Sequence, residues 1–117
     1  MIAARRPAPA LSAKRIRASM GLSRDRMGRL LGVSYKTIEA WEKEDKLPTD
    51  GYKRTLLATI DEIRELGLSV YTPEGFVTFL STPLKVFGNR TALQEIEAGH
   101  ADLVLGELAA DYEGAGY

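Results

Sequence analysis

Two triplets, each a glycine, an apolar residue and a serine, are the feature that most constrains the fold of this chain. They are Gly21-Leu22-Ser23 and Gly32-Val33-Ser34. In each, the glycine accepts the left-handed end of one helix and the serine caps the start of the next. Apolar residues recur at helical spacing around both triplets: Ile16 and Met20, then Met27, Leu30 and Leu31, then Ile38 and Trp41. The sequence therefore predicts three short amphipathic helices joined by tight turns.

This spacing is typical of a helix-turn-helix, in which the second of two closely joined helices enters the major groove of DNA. Residues 22–49, "LSRDRMGRLLGVSYKTIEAWEKEDKLPT", resemble the helix-turn-helix of the Xre and phage-repressor class. The chain departs from that family at Arg24, where Gln is usual, and at Gly28, where Ala is usual. A small residue at Gly28 suits the close approach of the second helix, although glycine costs a helix roughly 0.5–1 kcal/mol relative to alanine.

The resemblance implies which side chains approach DNA. Residues on the early face of the recognition helix would contact base edges, or the backbone in the case of the threonine: Tyr35, Lys36, Thr37 and Glu39. Cations around that helix would contact phosphates, which gives affinity without sequence information: Arg24, Arg29, Lys43 and Lys46. In the alternative, these charges only form a solvated face. Glu39 is repelled by phosphates unless it accepts from a cytosine amine or pairs with a neighbouring lysine. The apolar residues are expected in the core: Met27, Leu31, Ile38 and Trp41.

Charge is divided unevenly along the chain of 117 residues, whose net charge is zero. Residues 1–54 hold 13 Lys or Arg and 6 Asp or Glu, whereas residues 55–117 hold 3 and 10. Halves this different are expected to meet different partners, with mutual attraction inside one fold as the alternative. Because one helix-turn-helix reads only a few base pairs, a homodimer is also expected, with the acidic half supplying its interface.

Helix signals continue through the acidic half. Asp50 caps a predicted helix running to Gly67, and Thr72 with Pro73 opens another that ends at Thr82-Pro83. Residues 68–72 are a stretch that suits an extended backbone. After a Phe-Gly-Asn turn, Thr91 and Gln94 form a capping box for a short helix that stops at Gly99. A last helix is predicted from Ala101 to Asp111, followed by the tail "DYEGAGY", whose glycines predict flexibility.

The order of these elements over residues 73–117 resembles the toxin-binding domain of Xre/MbcA/ParS-like antitoxins. The segment "GNRTALQEIEAG" corresponds to that family's Gly-x-Arg-Thr-Pro-Leu-x-x-Leu-x-x-Gly signature, with Ala92 in place of the usual Pro. The resemblance implies a type II antitoxin. Such a protein binds operator DNA to repress its own operon, and it neutralises a RES-type toxin, an NAD-consuming enzyme, by covering the toxin's active site.

Two segments of the acidic half are expected to contact this toxin. They contribute Phe87 and Arg90 from the turn, and Asp111, Tyr112, Glu113, Gly114 and Tyr117 from the tail. Acidic groups would suit an anion-binding NAD pocket, and the tyrosines would supply stacking or apolar area. Arg90 has an alternative role in pairing with Glu95 or a helix end. The leucines and isoleucine of the last two helices fit a core or dimer interface better than a toxin contact: Leu93, Ile96, Leu103 and Leu108.

The sequence gives no reason to expect an enzyme or a cofactor. It has no cysteine, and its single histidine, His100, cannot hold a metal alone. Phosphate loops, glycine fingerprints and nucleophile elbows are also missing. No signal peptide or membrane span is recognisable, so a cytoplasmic protein is expected. The competing function is a stand-alone helix-turn-helix repressor whose acidic half only dimerises or senses a ligand.

The predicted fold class is all-α. A flexible arm, residues 1–10, precedes a helix-turn-helix bundle with a bridging helix, residues 11–67. A small helical dimerisation and toxin-binding domain, residues 68–117, completes the prediction.

Overall fold

A computed structural model describes residues 11–115. The predicted arm of residues 1–10, and Tyr117 with its expected toxin contact, lie outside the described residues. Seven α-helices and one 3₁₀ turn follow one another: α1 (Ala13–Met20), α2 (Arg24–Leu31), α3 (Tyr35–Glu44), α4 (Gly51–Val70), α5 (Pro73–Ser81), the 3₁₀ turn (Lys85–Phe87), α6 (Ala92–Glu97) and α7 (Ala101–Ala115). The prediction of an all-α fold is confirmed.

Side-chain caps fix where most helices begin. The first six helices each start behind a polar residue that accepts a hydrogen bond from the backbone three residues on: Ser12, Ser23, Ser34, Asp50, Thr72 and Thr91. At α6 the bond is reciprocal, because the backbone N–H of Thr91 donates to the side chain of Gln94 at 2.8 Å. Each cap satisfies a backbone donor that the helix itself leaves unpaired. The five caps predicted from the sequence, from Ser23 onward, are confirmed.

Two helix ends lie beyond their predicted positions. Helix α4 passes Gly67 and continues to Val70, so only Tyr71 and Thr72 are extended. Gly67 is not a helix stop; it is buried, and a Cβ there would overlap the ring of Phe76. Helix α7 continues to Ala115, so the expectation of a loosened tail is wrong as far as that residue. Glycine lowers helix stability without forbidding a helix, and packing of the preceding turns carries α7 onward.

The basic and acidic halves share one hydrophobic core. Helix α4 packs along α7, α1 contacts α4 and α5, and α2 contacts α6. Buried side chains come from both halves: Ile16, Met27, Ile38, Leu57, Phe76, Leu80, Ile96 and Leu108. Helix α4 crosses residue 67 without a break. The predicted domain boundary at that residue therefore stays a proposal, and it concerns which half of the chain meets which partner.

The expected core residues are mostly buried. Met27, Leu31 and Ile38 are buried, and Trp41 is partly buried against them. In the acidic half Leu93, Ile96 and Leu108 are buried, whereas Leu103 is 53% exposed. Leu103 is therefore not a core residue. Across residues 11–115, no helix is both long enough and apolar enough to cross a membrane.

Candidate DNA and partner interfaces

The turn between α2 and α3 is held tightly against α2. Gly32 adopts a left-handed backbone with φ of 71°, and the N–H of Val33 donates to the carbonyl of Gly28 at 2.9 Å. A Cβ at position 28 would lie 2.5 Å from the carbonyl oxygen of Val33. Glycine at this position therefore lets the turn lie directly on α2 and sets the approach of α3.

A buried carboxylate on α3 fastens that helix to its neighbours. The side chain of Glu42 is 2% exposed. It accepts from Nε and Nη2 of Arg17 at 2.6 and 2.9 Å, and from Nε of Arg24 at 3.2 Å. The hydrogen bond from Arg17 holds the pKa of Glu42 below its usual range, and the same bond raises the pKa of Arg17. Bidentate pairing of this kind fixes both distance and orientation between helices.

Sequence reasoning missed this Arg17–Glu42 pair because the two residues are 25 positions apart. It also gave Arg24 only a phosphate contact, whereas its guanidinium is shared with Glu42. The side chain of Arg24 is nevertheless 43% exposed, so it keeps a solvent-facing edge.

The exposed face of α3 contains most of the predicted DNA contacts. Tyr35 is 47% exposed, and Lys36, Glu39 and Lys43 are exposed as well. Thr37 is half-buried, because its hydroxyl and backbone N–H both lie within hydrogen-bond distance of Ser34 Oγ. These predicted contacts of α3 are therefore accessible to DNA, except for Thr37, which is only partly so.

Two predicted phosphate contacts stand apart from that face. Lys46 follows the end of α3 and pairs with Glu44. Arg29 lies in a separate depression beside Tyr52 and Glu97, where α2, α4 and α6 meet, and 3.9 Å separate its guanidinium from Asp25. The first is an exposed pair that water screens, so its lysine can still turn toward an anion.

A cleft opens where α1, α2 and α3 meet. Its volume is about 410 Å³, and its walls come from all three helices: Lys14, Arg24, Glu39, Glu42 and Lys43. Three of these five side chains are cationic. The carboxylate of Glu42 is already shared between two arginines.

Among the predicted toxin contacts, Phe87 is misplaced. Its side chain is 6% exposed and its ring packs edge-on against Phe79, with 6.5 Å between the ring centres. Phe79 in turn stacks on Tyr71 at 5.3 Å. Phe87 is therefore a core residue that anchors the 3₁₀ turn, and it offers a partner almost no surface. In the sequence, an aromatic residue beside a Gly-Asn turn fits a partner contact and a core residue equally well, so the burial of Phe87 could not be predicted.

Arg90 serves the alternative role that the sequence left open. Its Nε donates to Oε1 of Glu95 at 2.5 Å, and Nη2 donates to the carbonyl of Gln94 at 3.1 Å. Nδ1 of His100 lies 3.1 Å from the other oxygen of Glu95. Arg90, and to a smaller extent His100, hold the pKa of Glu95 below its usual range. The contacts of Glu95 with Arg90 and His100 therefore hold α6 against the start of α7.

The remaining predicted contacts lie at the far end of α7. Tyr112 is 52% exposed and lines a groove of about 380 Å³ with Leu105 and residues of α4: Glu62, Glu65, Leu66 and Ser69. Glu113 and Gly114 are exposed and Asp111 is half-buried. Burial, then the charges of Asp111 and Glu107, raise the pKa of Tyr71 beside this end. At 1.5 Å per residue, these positions lie about 15 Å along α7 from the Arg90 turn.

No protein-family model matches the chain, and no curated protein matches it in sequence. The structure is similar to a chain in the crystal structure of the M. tuberculosis MbcT-MbcA toxin-antitoxin complex, with a TM-score of 0.72. The match covers 87% of this chain and 91% of that chain, at 16% sequence identity. The likeness shows a shared fold over both the basic and the acidic half.

Proposed function

We propose that this chain is the antitoxin of a type II toxin–antitoxin system. The observation that carries the proposal is the fold, which is similar over most of its length to a chain of a toxin–antitoxin complex. The sequence supports the proposal through its resemblance to the Xre-type helix-turn-helix and, behind it, to the toxin-binding segment of Xre/MbcA/ParS-like antitoxins. On this proposal the chain has two partners, operator DNA and a cognate RES-type toxin, and it acts without catalysis or cofactor.

The basic half is proposed to repress the operon by binding DNA as a homodimer. Exposed side chains on α3 would read bases, chiefly through Tyr35, Lys36 and Glu39. Glu42 acts as a positioning residue, because its two arginines hold α3 against α1 and α2. Two such helices spaced by about one turn of DNA would give a dimer its specificity.

The acidic half is proposed to bind the toxin through the end of α7. Asp111, Tyr112, Glu113 and Gly114 lie there, and no Lys or Arg interrupts α7. Acidic charge beside an exposed tyrosine suits the anion-binding pocket of an NAD-consuming enzyme. Phe87 and Arg90 are not part of this surface, since one is buried and the other is engaged with Glu95. Tyr117 remains a proposed contact.

Co-expression tests the antitoxin function. The neighbouring open reading frame is expressed alone, with this chain, or with a variant of it. We expect growth arrest in the first case, rescue in the second, and co-purification of the two proteins. A neighbouring product that is harmless, or that is toxic but not rescued, rejects the antitoxin and favours a stand-alone repressor.

Matched variants locate the toxin surface on α7. Replacing both Asp111 and Glu113 by the corresponding amides is expected to weaken rescue, because the acidic end of the helix loses its charge. The control is Asp102→Asn, which removes an exposed charge from the first turn of the same helix. Rescue that fails equally in both variants, or in neither, contradicts the placement at the end of α7.

A further inference from the structure

We propose that the cleft between α1, α2 and α3 binds a phosphate group of the DNA backbone, and that Lys14 on α1 is a contact residue. The proposal rests on the DNA-binding function proposed above and extends it to a helix outside the helix-turn-helix. Lys14 lies eight residues before the motif-like run that begins at Leu22, so the motif gives no reason to include it.

The placement of Lys14 follows from the pair that fastens α3. Residues three positions apart lie on the same face of a helix. Lys14 is three residues before Arg17 on α1, and Glu39 is three residues before Glu42 on α3. Since Arg17 donates to Glu42 at 2.6 Å, the turn of α1 that contains Lys14 faces the turn of α3 that contains Glu39. The cleft is the space between them.

The charges around the cleft favour an anion. Lys14, Arg24 and Lys43 approach it from three different helices. Within residues 11–115, neither lysine has a carboxylate oxygen within 4 Å of its Nζ. The ion pairs of this part of the chain involve other cations: Arg15–Asp61, Arg17–Glu42, Arg24–Glu42, Arg26–Glu97, Arg29–Asp25, Lys46–Glu44, Arg64–Asp61, Arg64–Glu65, Arg90–Glu95 and His100–Glu95. Two lysines aimed at one open space are therefore available to an incoming group.

The acidic residues of the cleft do not cancel this charge. Glu42 is 2% exposed and shares its oxygens with two guanidinium groups, so it presents little negative potential to the cleft. Glu39 is exposed on the α3 side. It repels an anion and so directs a phosphate toward Lys14 and Arg24. A phosphate held there also lies beside the face of α3 that is proposed to read bases. This position suits a backbone contact that fixes the register of α3 on the duplex.

Titration of a DNA duplex tests the proposal. A labelled duplex of roughly 30 base pairs, about three helical turns, is taken from the upstream region of the operon and from an unrelated sequence. Binding of the full chain and of Lys14→Gln is measured by fluorescence anisotropy between roughly 50 and 200 mM salt. The control is Lys85→Gln, which removes an exposed lysine from the acidic half. Circular dichroism verifies that both variants fold.

Loss of one phosphate contact has a defined signature. For Lys14→Gln we expect weaker binding by the same factor on both duplexes, and a salt slope smaller by about 0.9 for each protomer bound, hence by about 1.8 for the homodimer. Lys14→Arg should restore both quantities, and Lys85→Gln should leave them unchanged. Replacing chloride by inorganic phosphate at equal ionic strength should compete with the duplex in the wild type more than in Lys14→Gln. Equal competition in the wild type and in Lys14→Gln would show that Lys14 does not hold a phosphate group, and it would count against the proposal.

Two other outcomes overturn it and are distinguishable. If the wild type binds DNA and Lys14→Gln matches Lys85→Gln in slope and affinity, the cleft is not a phosphate site, while the proposed function survives. If the wild type binds neither duplex, the DNA-binding function fails and the cleft loses its ligand with it.

Discussion

Two buried carboxylates, one in each half of the molecule, are held by arginine in very different ways. Glu42 is 2% exposed and Glu95 is 8% exposed. The partners of Glu42 lie 25 and 18 positions away on two other helices, whereas those of Glu95 lie five positions before and five after it. The first carboxylate therefore fixes the relative positions of three helices. The second closes a local turn.

This difference extends to how each half is held together. In the basic half the helices are short, and the ion pairs at Glu42 supplement the part of the shared apolar core that these helices contribute. In the acidic half α4 and α7 pack along each other, with aromatic contacts among Tyr71, Phe79 and Phe87 beside them. We therefore expect polar substitutions to damage the basic half most, and changes of side-chain volume to damage the acidic half most.

The largest expected effect is that of Glu42→Gln. It leaves Arg17 partly buried without its carboxylate, so the free energy of unfolding should fall by roughly 1.5–3 kcal/mol, the range for hydrogen bonds to charged groups. DNA affinity should fall as well, because α3 loses its attachment to α1 and α2. Urea unfolding followed by circular dichroism measures the first effect, and fluorescence anisotropy with a duplex measures the second.

Glu95→Gln is the matched variant for this prediction. It removes the same charge, but its partners are half-exposed and can return to water. We expect a smaller loss of stability and no loss of DNA affinity beyond what unfolding explains. Equal losses of stability in the two variants would mean that a carboxylate joining three helices contributes no more than one closing a local turn, and the comparison would be wrong.

The sequence predicted the local features and missed the distant ones for the same reason. Caps such as Ser23, Asp50 and Thr91 depend on a side chain and a backbone N–H three residues on, so they can be recognised from adjacent letters. The pairing of Arg17 with Glu42 depends on the arrangement of three helices, which no short window contains. Arg90 with Glu95 is the intermediate case, close enough in sequence to be raised as an alternative.

Glycines mark where sequence reasoning failed in the acidic half. The sequence predicts a helix end at Gly67, whereas the missing side chain there leaves space for the Phe76 ring. It also predicts that Gly114 loosens a tail, whereas this residue lies in α7. A glycine signals a turn, a close approach or an exposed helical position with equal force, and only the neighbouring element decides among them. The burial of Phe87, which excludes it from the candidate site, likewise depends on a neighbouring element, because its ring packs against Phe79 of α5.

Gly67→Ala tests the volume side of the comparison. The added methyl group would overlap the Phe76 ring, so either that ring or the spacing between α4 and α5 must change. Overpacking costs about 1–3 kcal/mol, partly offset by about 1 kcal/mol of improved helix propensity, and we expect a net loss of up to about 2 kcal/mol in urea unfolding. Gly106→Ala is the control, because nothing lies within 4 Å of its Cβ position and the substitution should raise stability by about 0.5–1 kcal/mol. A stabilised Gly67→Ala would show that the Phe76 ring moves without cost.

Acid titration separates the two carboxylates further. Arg17 lowers the pKa of Glu42 and Arg90 lowers that of Glu95. A lowered pKa stabilises the folded protein above the unfolded-state value of about 4.3, and this contribution is lost as pH falls through the folded-state value. The free energy of unfolding of the wild type should therefore decrease between about pH 5 and pH 3. We expect Glu42→Gln to flatten this decrease more than Glu95→Gln does, and the reverse order would contradict the stronger attachment of Glu42.

The smallest expected effect is that of His100→Ala, and its smallness is informative. Nδ1 of His100 lies 3.1 Å from Glu95, but the ring is 54% exposed and Arg90 already holds the other oxygen of the carboxylate. Water can replace the imidazole, so the change in unfolding free energy should stay within about 0.5 kcal/mol. Arg90→Ala should cost more, since it also removes a bond to the carbonyl of Gln94. If His100→Ala instead destabilised the protein as much as Glu42→Gln does, the contacts of Glu95 would contribute as much to the free energy of unfolding as those of Glu42. The contrast between a local turn and a junction of three helices would then fail.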